Sequence, residues 1–268
     1  MLYRIRRRLQ KSLQWLRGWL YASLILRIHT GLKRPIRDLS AFQRRIAFIE
    51  RREFSQNGED GIIHAIFAMI GLTNRFGVEF GVEDGMESNM RYLLTRKGWT
   101  GLQMDGHDNP PETGVKKEFI TAENIEELFA KYGVPAEFDL LSIDIDGNDY
   151  WIWKAITRYS PRVVIVEYNA HIPPGESKTI PYQPDFQWDK TDYYGASLAA
   201  LNKLGEEKGY TLVCTDPHGV NAFFVRTDLV PGKFAPPPWP GTYRPPSFKG
   251  KLGKGHPPDT LKRPWVTV

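Results

Sequence analysis

Residues 76–89, FGVEFGVEDGMESN, decide the fold of this chain. The stretch begins as a short apolar run, turns at an E-x-G-x-x-x-G pattern formed by Glu79, Gly81 and Gly85, and continues into a predicted helix. A strand that ends in a glycine turn and opens a helix is typical of α/β folds that hold an adenosine-containing cofactor, because glycine lets the backbone approach a ligand closely. An ordinary turn between a strand and a helix has the same pattern, so this alternative stays open.

The residues around the turn favour a cationic cofactor over a dinucleotide. The glycine spacing differs from G-x-G-x-x-G, and the carboxylate of Glu79 would repel a pyrophosphate. It suits the ammonium and sulfonium groups of S-adenosylmethionine instead. Ser88 and Asn89, at the start of the following helix, are further candidates for cofactor binding. Asp105, predicted at the end of the second strand, carries a carboxylate that can accept hydrogen bonds from both ribose hydroxyls.

The distribution of charge divides the 268-residue chain into three parts. Residues 1–52 carry a net charge of +12, residues 53–230 carry −13, and residues 231–268 carry +6. We predict a basic amphipathic extension, an α/β domain and a Pro-rich tail, respectively. Because the central part is acidic, the overall charge of +5 does not indicate nucleic-acid binding. The single cysteine, Cys214, excludes an intrachain disulfide framework and favours the cytoplasm.

The N-terminal extension combines many arginines with a stripe of leucines. The leucines that recur at helical spacing are Leu9, Leu13, Leu16, Leu20 and Leu24. No uncharged run approaches the roughly 20 apolar residues that cross a bilayer, and no signal-peptide cleavage site follows. The pattern is typical of an interfacial helix on an anionic membrane surface, which would place the protein at the inner face of the membrane. A helix docked on the core or on a second subunit has the same pattern, so both interpretations stay open.

Strand and helix patterns alternate between the two basic ends. Strands are predicted at residues 77–80, 101–104, 118–121, 139–143, 163–168, 211–215 and 222–226. Helices are predicted at residues 60–70, 88–97, 122–132, 150–157 and 196–208. The first five strands are short apolar runs separated by helices, as in a buried parallel sheet, and the last two flank a tight turn. The predicted fold is therefore α/β, with the Rossmann-like class I methyltransferase sheet, mostly parallel with an antiparallel hairpin at its edge.

Polar residues follow the fourth and fifth strands at the edge where open α/β sheets bind ligands. Asp144 follows the fourth strand, and Glu167 and Asn169 lie at the end of the fifth, with side chains pointing the same way. This all-oxygen set suits Mg²⁺, which would lower the pKa of an acceptor hydroxyl. In the alternative interpretation, Asp144 contacts the amine of the cofactor and Glu167 caps a loop.

The segment behind the fifth strand contributes a base candidate and a predicted lid. His171 is the best single candidate for a general base, although a loop histidine is more often a surface residue. Residues 170–194 lack helix or strand periodicity and are rich in aromatic side chains. We predict an ordered lid that binds the acceptor and excludes water, with packing of the aromatics into the core as the alternative.

An ordered set of motifs resembles the FkbM-type S-adenosylmethionine-dependent methyltransferases. The motifs are SQNGED at 55–60, VEFGVEDGMESN at 78–89, FDLLSIDIDGNDYWIWKAI at 138–156, PRVVIVEYNA at 161–170 and NAFFVR at 221–226. The resemblance implies a class I methyltransferase core, S-adenosylmethionine as cofactor, and O-methylation of a hydroxyl on a small molecule or glycan.

The same resemblance implies roles for individual residues. Glu79, Gly81 and Gly85 would line the methionine end of the cofactor, Asp105 would hold the ribose, Thr121 would lie near the adenine, and Gln56 and Glu59 would close over the cofactor. Asp144 would complete the cofactor-binding set.

Two other classes of function remain as alternatives. The first is a non-catalytic, membrane-associated assembly or scaffold protein that retains the cofactor fold, and the second is a dinucleotide enzyme, which the glycine spacing disfavours. Asp144 and Glu167 are both present at the predicted strand ends, whereas a protein that had lost catalysis would be expected to lose one of them. The sequence therefore favours an enzyme. Its expected partners are a small-molecule or glycan acceptor and an anionic membrane surface, with no nucleic acid, and an oligomer is compatible with the sequence.

Overall fold

The computed structural model describes residues 53–234, 239–248, 251–252 and 255–268. The helices are α1 (Glu59–Ile70), α2 (Arg91–Arg96), α3 (Ile125–Lys131), α4 (Asp149–Ala155) and α5 (Leu198–Glu207). The strands are β1 (Phe76–Phe80), β2 (Thr100–Asp105), β3 (Lys116–Lys117), β4 (Glu137–Ile143), β5 (Ser160–Glu167), β6 (Lys178–Thr179), β7 (Tyr210–Thr215), β8 (Asn221–Arg226), β9 (Ser247–Phe248), β10 (Lys251–Leu252) and β11 (Val266–Thr267). The predicted N-terminal helix lies outside the described residues. Within them, no helix combines the length and apolar character needed to cross a bilayer.

Seven of the strands form one mixed sheet in the order β3–β2–β1–β4–β5–β8–β7. β1 pairs in parallel with β2 and β4, and β4 pairs in parallel with β5. β8 is antiparallel to both β5 and β7, so the last two strands form the predicted hairpin at one edge. This strand order with a reversed β8 is the Rossmann-like class I methyltransferase fold, which confirms the predicted fold class.

Apolar side chains cover both faces of the sheet, which explains why its central strands are continuous apolar runs. On one face, Leu141 and Phe224 pack with residues of α3, α4 and α5. On the other face, Leu140 and Phe223 pack with residues of α1 and α2. Neighbouring strand residues therefore enter opposite cores, and the rigid sheet fixes where each strand ends.

The third strand and the helix after β1 differ from the predictions. β3 contains only Lys116 and Lys117, both exposed, and residues 118–121 form a loop. The side chain of Glu118 turns away to bind Lys131 at the end of α3 and Tyr132 just after it, and an edge strand has only one neighbour to hold it in place. α2 begins at Arg91 instead of residue 88, because the preceding residues form polar contacts with the end of β1.

The C-terminal tail packs along the edge where β5 and β7 end. Thr242 is fully buried, and its carbonyl oxygen accepts a hydrogen bond of 2.6 Å from the hydroxyl of Thr215. The hydroxyl of Tyr243 donates to the carbonyl oxygen of Ala170 at 2.6 Å. Farther along, β11 pairs antiparallel with β6, inside the predicted lid segment. The described part of the tail is mostly irregular, and it packs against the lid.

Candidate functional site

The glycine turn after β1 passes directly against the chain that leaves β4. Gly81 has a φ of 76°, and a Cβ at this position would lie 1.4 Å from the backbone oxygen of Asp144. The N–H of Asp144 donates to the carbonyl oxygen of Phe80 at 3.3 Å, and the N–H of Gly85 donates to that of Val82 at 2.7 Å. Position 81 therefore requires glycine, and the turn brings the ends of β1 and β4 together.

The carboxylate of Glu79 is bound by the chain itself. It accepts hydrogen bonds from the hydroxyl of Ser88, the N–H groups of Asn89 and Met90, and Nε2 of Gln103. Burial raises the pKa of Glu79, and these hydrogen bonds act in the opposite direction. Glu79 thus fastens the start of α2 to the sheet, and Ser88 and Asn89 are its partners. The predicted contact of Glu79 with the methionine end of a cofactor differs from this internal role.

Asp105 lies buried at the end of β2, where it joins two loops. Its Oδ2 accepts from the N–H of Glu83 at 2.8 Å, and its Oδ1 accepts from the N–H of His107 at 2.8 Å and contacts the His107 ring nitrogen Nδ1 at 2.8 Å. A carboxylate offers about four acceptor positions. These contacts leave room for one ribose hydroxyl, whereas the sequence predicted two.

The remaining predicted cofactor residues lie around the edge of this region. Gln56 is exposed in the turn before α1. Glu59 is buried, and its carboxylate accepts from Nδ2 of Asn221 at 3.0 Å, which links α1 to β8. Thr121 lies beyond the end of β3 rather than at it, and its hydroxyl accepts from the N–H of Asn124 at 3.3 Å, just before α3.

Four carboxylates converge where β4 and β5 end, and we call them the acidic rim: Asp144, Asp146, Asp149 and Glu167. Single oxygens of Asp144, Asp146 and Glu167 lie within 4.8 Å of one another. Asp149 shapes the loop, because its carboxylate accepts from the N–H groups of Ile145 at 2.9 Å and Gly147 at 3.0 Å. Among the described residues, no lysine or arginine forms an ion pair with the acidic rim.

The carboxylates of the acidic rim raise one another's pKa. Burial, followed by the charges of Asp146 and Asp149, raises the pKa of Asp144 well above its usual range. Burial and the charge of Asp144 do the same to the pKa of Glu167. Oε2 of Glu167 is buried and has no hydrogen-bond partner in the described part of the chain. An unpaired buried acceptor is unfavourable, and a cation or a proton donor between these carboxylates would relieve it.

Asn169 does not join the acidic rim, although the sequence predicted it as a metal ligand. Its side chain is fully buried, and its Nδ2 donates to the carbonyl oxygens of Asp192 and Tyr194, each at 2.8 Å. Its Oδ1 accepts from the N–H of His171 at 3.0 Å. Asp146 occupies the third place instead. The sequence does not predict this position of Asp146, because the residue reaches the cluster through a left-handed backbone, φ 56°, which an apolar strand pattern does not reveal.

Both ring nitrogens of His171 make contacts, and the contact through Nε2 holds the tail. Its Nδ1 lies 3.0 Å from Oδ1 of Asn169, and its Nε2 accepts from the backbone N–H of His256 at 2.8 Å. Acceptance at Nε2 assigns the ring proton to Nδ1, so the imidazole is neutral. Burial, followed by the neighbouring His256, lowers the pKa of His171. The ring thus fastens the tail to the loop after β5, which differs from the predicted free base.

The lid at residues 170–194 lies beside the acidic rim. Phe186 packs on the rim loop, since a Cβ at Gly147 would fall 2.4 Å from its ring. Trp188 stacks edge-to-face on His256 of the tail, with ring centroids 4.6 Å apart, and contacts Tyr194 at 5.5 Å. Burial, followed by the charge of Glu167, raises the pKa of Tyr194, so its hydroxyl stays protonated. The aromatic side chains therefore form ordered walls next to the carboxylates.

Two solved methyltransferase structures show weak similarity to this chain. An S-adenosylmethionine-dependent methyltransferase from Clostridium acetobutylicum ATCC 824 has a TM-score of 0.35 and 11% identity, covering 69% of this chain and 98% of its own. A SAM-dependent methyltransferase from Aquifex aeolicus has a TM-score of 0.30 and 12% identity, covering 70% of this chain and 98% of its own. No protein-family model matches the sequence, and no curated protein matches it. The resemblance to FkbM-type enzymes therefore rests on the motifs alone.

Proposed function

We propose that this chain is an S-adenosylmethionine-dependent methyltransferase that methylates a hydroxyl of a small molecule or glycan. The observation that carries the proposal is the acidic rim, whose carboxylates lie at the ligand-binding edge of the sheet without a lysine or arginine partner among the described residues. S-adenosylmethionine supplies a transferable methyl group on a positively charged sulfur, together with an ammonium group. The rim would receive these positive charges.

The turn that includes Gly81 and the loop that includes Asp105 would hold the rest of the cofactor. The backbone at Gly81 leaves no space for a side chain, and Asp105 retains about one acceptor position for a ribose hydroxyl. Because both loops are fixed by hydrogen bonds to Asp105, binding needs little reorganisation of this region.

The acidic rim would also accept the proton of the acceptor hydroxyl. A carboxylate whose pKa is raised towards neutrality is a stronger proton acceptor than an ordinary one, and Glu167 and Asp144 both have raised pKa values. Because Nε2 of His171 already accepts a hydrogen bond, the rim takes the role that the sequence assigned to His171. The adjoining lid would align the acceptor and exclude water.

The acidic rim fits a divalent cation as well. Asp144, Asp146 and Glu167 offer only oxygen ligands, as Mg²⁺ prefers, and the orphaned Oε2 of Glu167 would gain a partner. Mg²⁺ there would supply Lewis acidity that lowers the pKa of the acceptor hydroxyl.

Cofactor binding tests this proposal directly. S-adenosylmethionine and its demethylated product should raise the melting temperature, because a ligand that binds only the folded state stabilises it, whereas NAD should not. Asp105→Ala should weaken binding about tenfold or more through loss of a charged hydrogen bond. Asp108→Ala is the matched control, since Asp108 is 86% exposed and pairs only with Lys117 among the described residues. Absence of any response to both methionine derivatives would favour the non-catalytic scaffold.

A further inference from the structure

An exposed aromatic ring lies beside the loop that would hold the ribose of the cofactor. Phe119 follows β3 in a loop and is 58% exposed. Its ring reaches Gly106, the residue directly after Asp105, since a Cβ at Gly106 would lie 3.7 Å from Cδ2 of the ring. Gly106 is itself exposed. The ring therefore lies at the ligand-binding edge of the sheet, beside the residue that follows Asp105.

The backbone beneath this ring is held in place from two sides. The N–H of Glu118 donates to the carbonyl oxygen of Asp105 at 2.9 Å, which ties the loop after β3 to the end of β2. Nδ2 of Asn124 donates to the carbonyl oxygen of Phe119 at 2.8 Å, and Oδ1 of Asn124 accepts from the N–H of Thr121 at 2.8 Å. The backbone position of Phe119 relative to Asp105 is thus set by the fold before any ligand binds.

Location, rather than exposure alone, singles out Phe119, because isolated apolar side chains are common on protein surfaces. The other large apolar side chains that are exposed among the described residues are Leu72, Met86, Trp239 and Leu261. Leu72 precedes β1 and therefore lies at the opposite edge of the sheet, and Trp239 and Leu261 belong to the tail. Met86 does follow β1, but its sulfur already contacts the guanidinium of Arg91 at 3.1 Å. Within the described ranges, Phe119 is therefore the exposed aromatic ring that lies next to the predicted ribose-binding carboxylate.

We propose that Phe119 is a stacking platform for the adenine ring of S-adenosylmethionine. Adenine is attached directly to the ribose, so a ribose held by Asp105 brings the base close to Phe119. Stacking would remove the purine face and the phenyl ring from water, and Gly106 has no side chain that would keep the two apart. The identity of the ligand rests on the proposed function, whereas the position of the ring does not. The two ends of the cofactor would then be held by different effects, stacking at the base and charge at the sulfonium and ammonium groups.

Calorimetric titration of the full-length protein with adenosine and, separately, with S-adenosylmethionine tests the platform. Adenosine carries the base and the ribose without the charged groups that would meet the acidic rim. Phe119→Ala should raise the dissociation constant of each ligand about tenfold or more, because stacking on the ring is lost. Phe119→Tyr keeps an aromatic ring and should bind both ligands like the wild type.

Two controls separate loss of stacking from loss of structure. Leu72→Ala removes an apolar side chain that is 44% exposed at the opposite edge of the sheet, and it should leave both dissociation constants unchanged. The melting temperature of ligand-free Phe119→Ala should match that of the wild type, because the ring that it removes is mostly exposed.

The outcomes separate this proposal from the proposed function. Weaker binding by Phe119→Ala, with Phe119→Tyr and Leu72→Ala intact, supports the platform. Unchanged dissociation constants in Phe119→Ala would overturn it, and so would a wild-type protein that binds neither ligand. If adenosine binds with this dependence on Phe119 and S-adenosylmethionine does not bind, the platform stands and the methyltransferase proposal falls. If S-adenosylmethionine binds equally well to the wild type and to Phe119→Ala, the platform falls and the methyltransferase proposal stands.

Discussion

At the scale of single residues, Gly81 shows how closely two strand ends can approach. Gly81→Ala should strongly destabilise the fold, because its Cβ would collide with the backbone of Asp144 and its φ is positive. Gly98→Ala is the matched control, since Gly98 also has a positive φ, 65°, but nothing lies within 4 Å of a Cβ there. The control should lose about 1–2 kcal/mol of unfolding free energy, the strain of a left-handed non-glycine residue. Urea unfolding measures both, and equal losses would contradict the steric argument.

The acidic rim should make stability depend on pH. Asp146 is exposed as a residue, but partial desolvation of its carboxylate and the charge of Asp149 raise its pKa to about 6, so the folded state binds this proton more tightly than the unfolded chain. This contribution to stability is complete below the unfolded pKa of about 3.9 and is lost as the pH rises through the folded pKa. Asp146→Asn should therefore lose part of the stability gain on acidification and unfold at a higher temperature than the wild type near neutral pH. An unchanged pH profile of melting temperature in this variant would contradict the expectation.

The same cluster gives an expectation for divalent cations. Mg²⁺ should raise the melting temperature of the wild type more at about pH 7 than at about pH 5, because protons compete with the metal for the carboxylates. Asp146→Asn should reduce the rise, whereas Asp108→Asn, outside the rim, should not. Equal rises in all three proteins would place the cation elsewhere.

The sequence predicts the position of a site residue only where the direction of a buried strand determines it. Asp144 and Glu167 follow buried apolar strands, so their meeting at one edge of the sheet could be predicted. The positions of Asn169 and His171 could not be predicted. Asn169 binds the backbone of the lid, and His171 binds His256, which is far away in the sequence. A sequence pattern indicates where along a strand a polar residue lies, but not which hydrogen bond its side chain makes.

At the scale of secondary-structure elements, prediction depends on how fully an element is buried. β1, β4 and β5 lie inside the sheet, and apolar runs locate them to within a few residues. β3 lies at the edge with exposed lysines, so hydrophobic pattern carries no information about it. β6 and β11 have two residues each and pair with one another. They form only because the tail returns to the lid, and no local sequence pattern predicts that return.

The attachment of the tail through His171 gives a prediction at this scale. Burial and His256 lower the pKa of His171, while Asp192 acts in the opposite direction, and only the neutral ring can accept the N–H of His256. The attachment is therefore complete above the unfolded pKa of about 6.5 and is lost as the pH falls through the lower folded pKa. Wild-type tail should become more sensitive to limited proteolysis in acid.

Substitution isolates the contribution of the imidazole. His171→Ala should expose the tail to protease at every pH and cost about 1–3 kcal/mol, since the N–H of His256 loses its acceptor. His107→Ala is the control, because the His107 ring is 84% exposed and contacts Asp105. Equal proteolysis of the tail in His171→Ala and the wild type would show that other contacts hold it.

At the scale of the whole molecule, charge is segregated between the domain and its N-terminal extension. Residues 1–52 carry 14 Lys and Arg against two acidic residues. Full-length protein should sediment with anionic vesicles at low salt and dissociate as salt increases, with each surface-proximal basic residue contributing about 1 kcal/mol. A chain starting at Glu53 should lose vesicle binding and retain cofactor affinity, because the described site lies beyond that residue. If this truncation instead lowers the melting temperature or changes the oligomeric state, the extension packs on protein.

The return of the tail to the lid has a consequence for biosynthesis. The ribosome makes residues 256–268 after every strand of the main sheet, so the nascent chain can assemble the sheet and the acidic rim before the partners of His171 and β6 exist. The glycine turn and Asp105 need only residues made earlier, whereas the walls of the cavity between the loop after β5 and the tail are finished by residues that emerge later. The glycine turn and the acidic rim can therefore form first, and the contacts between the lid and the tail are completed as translation proceeds.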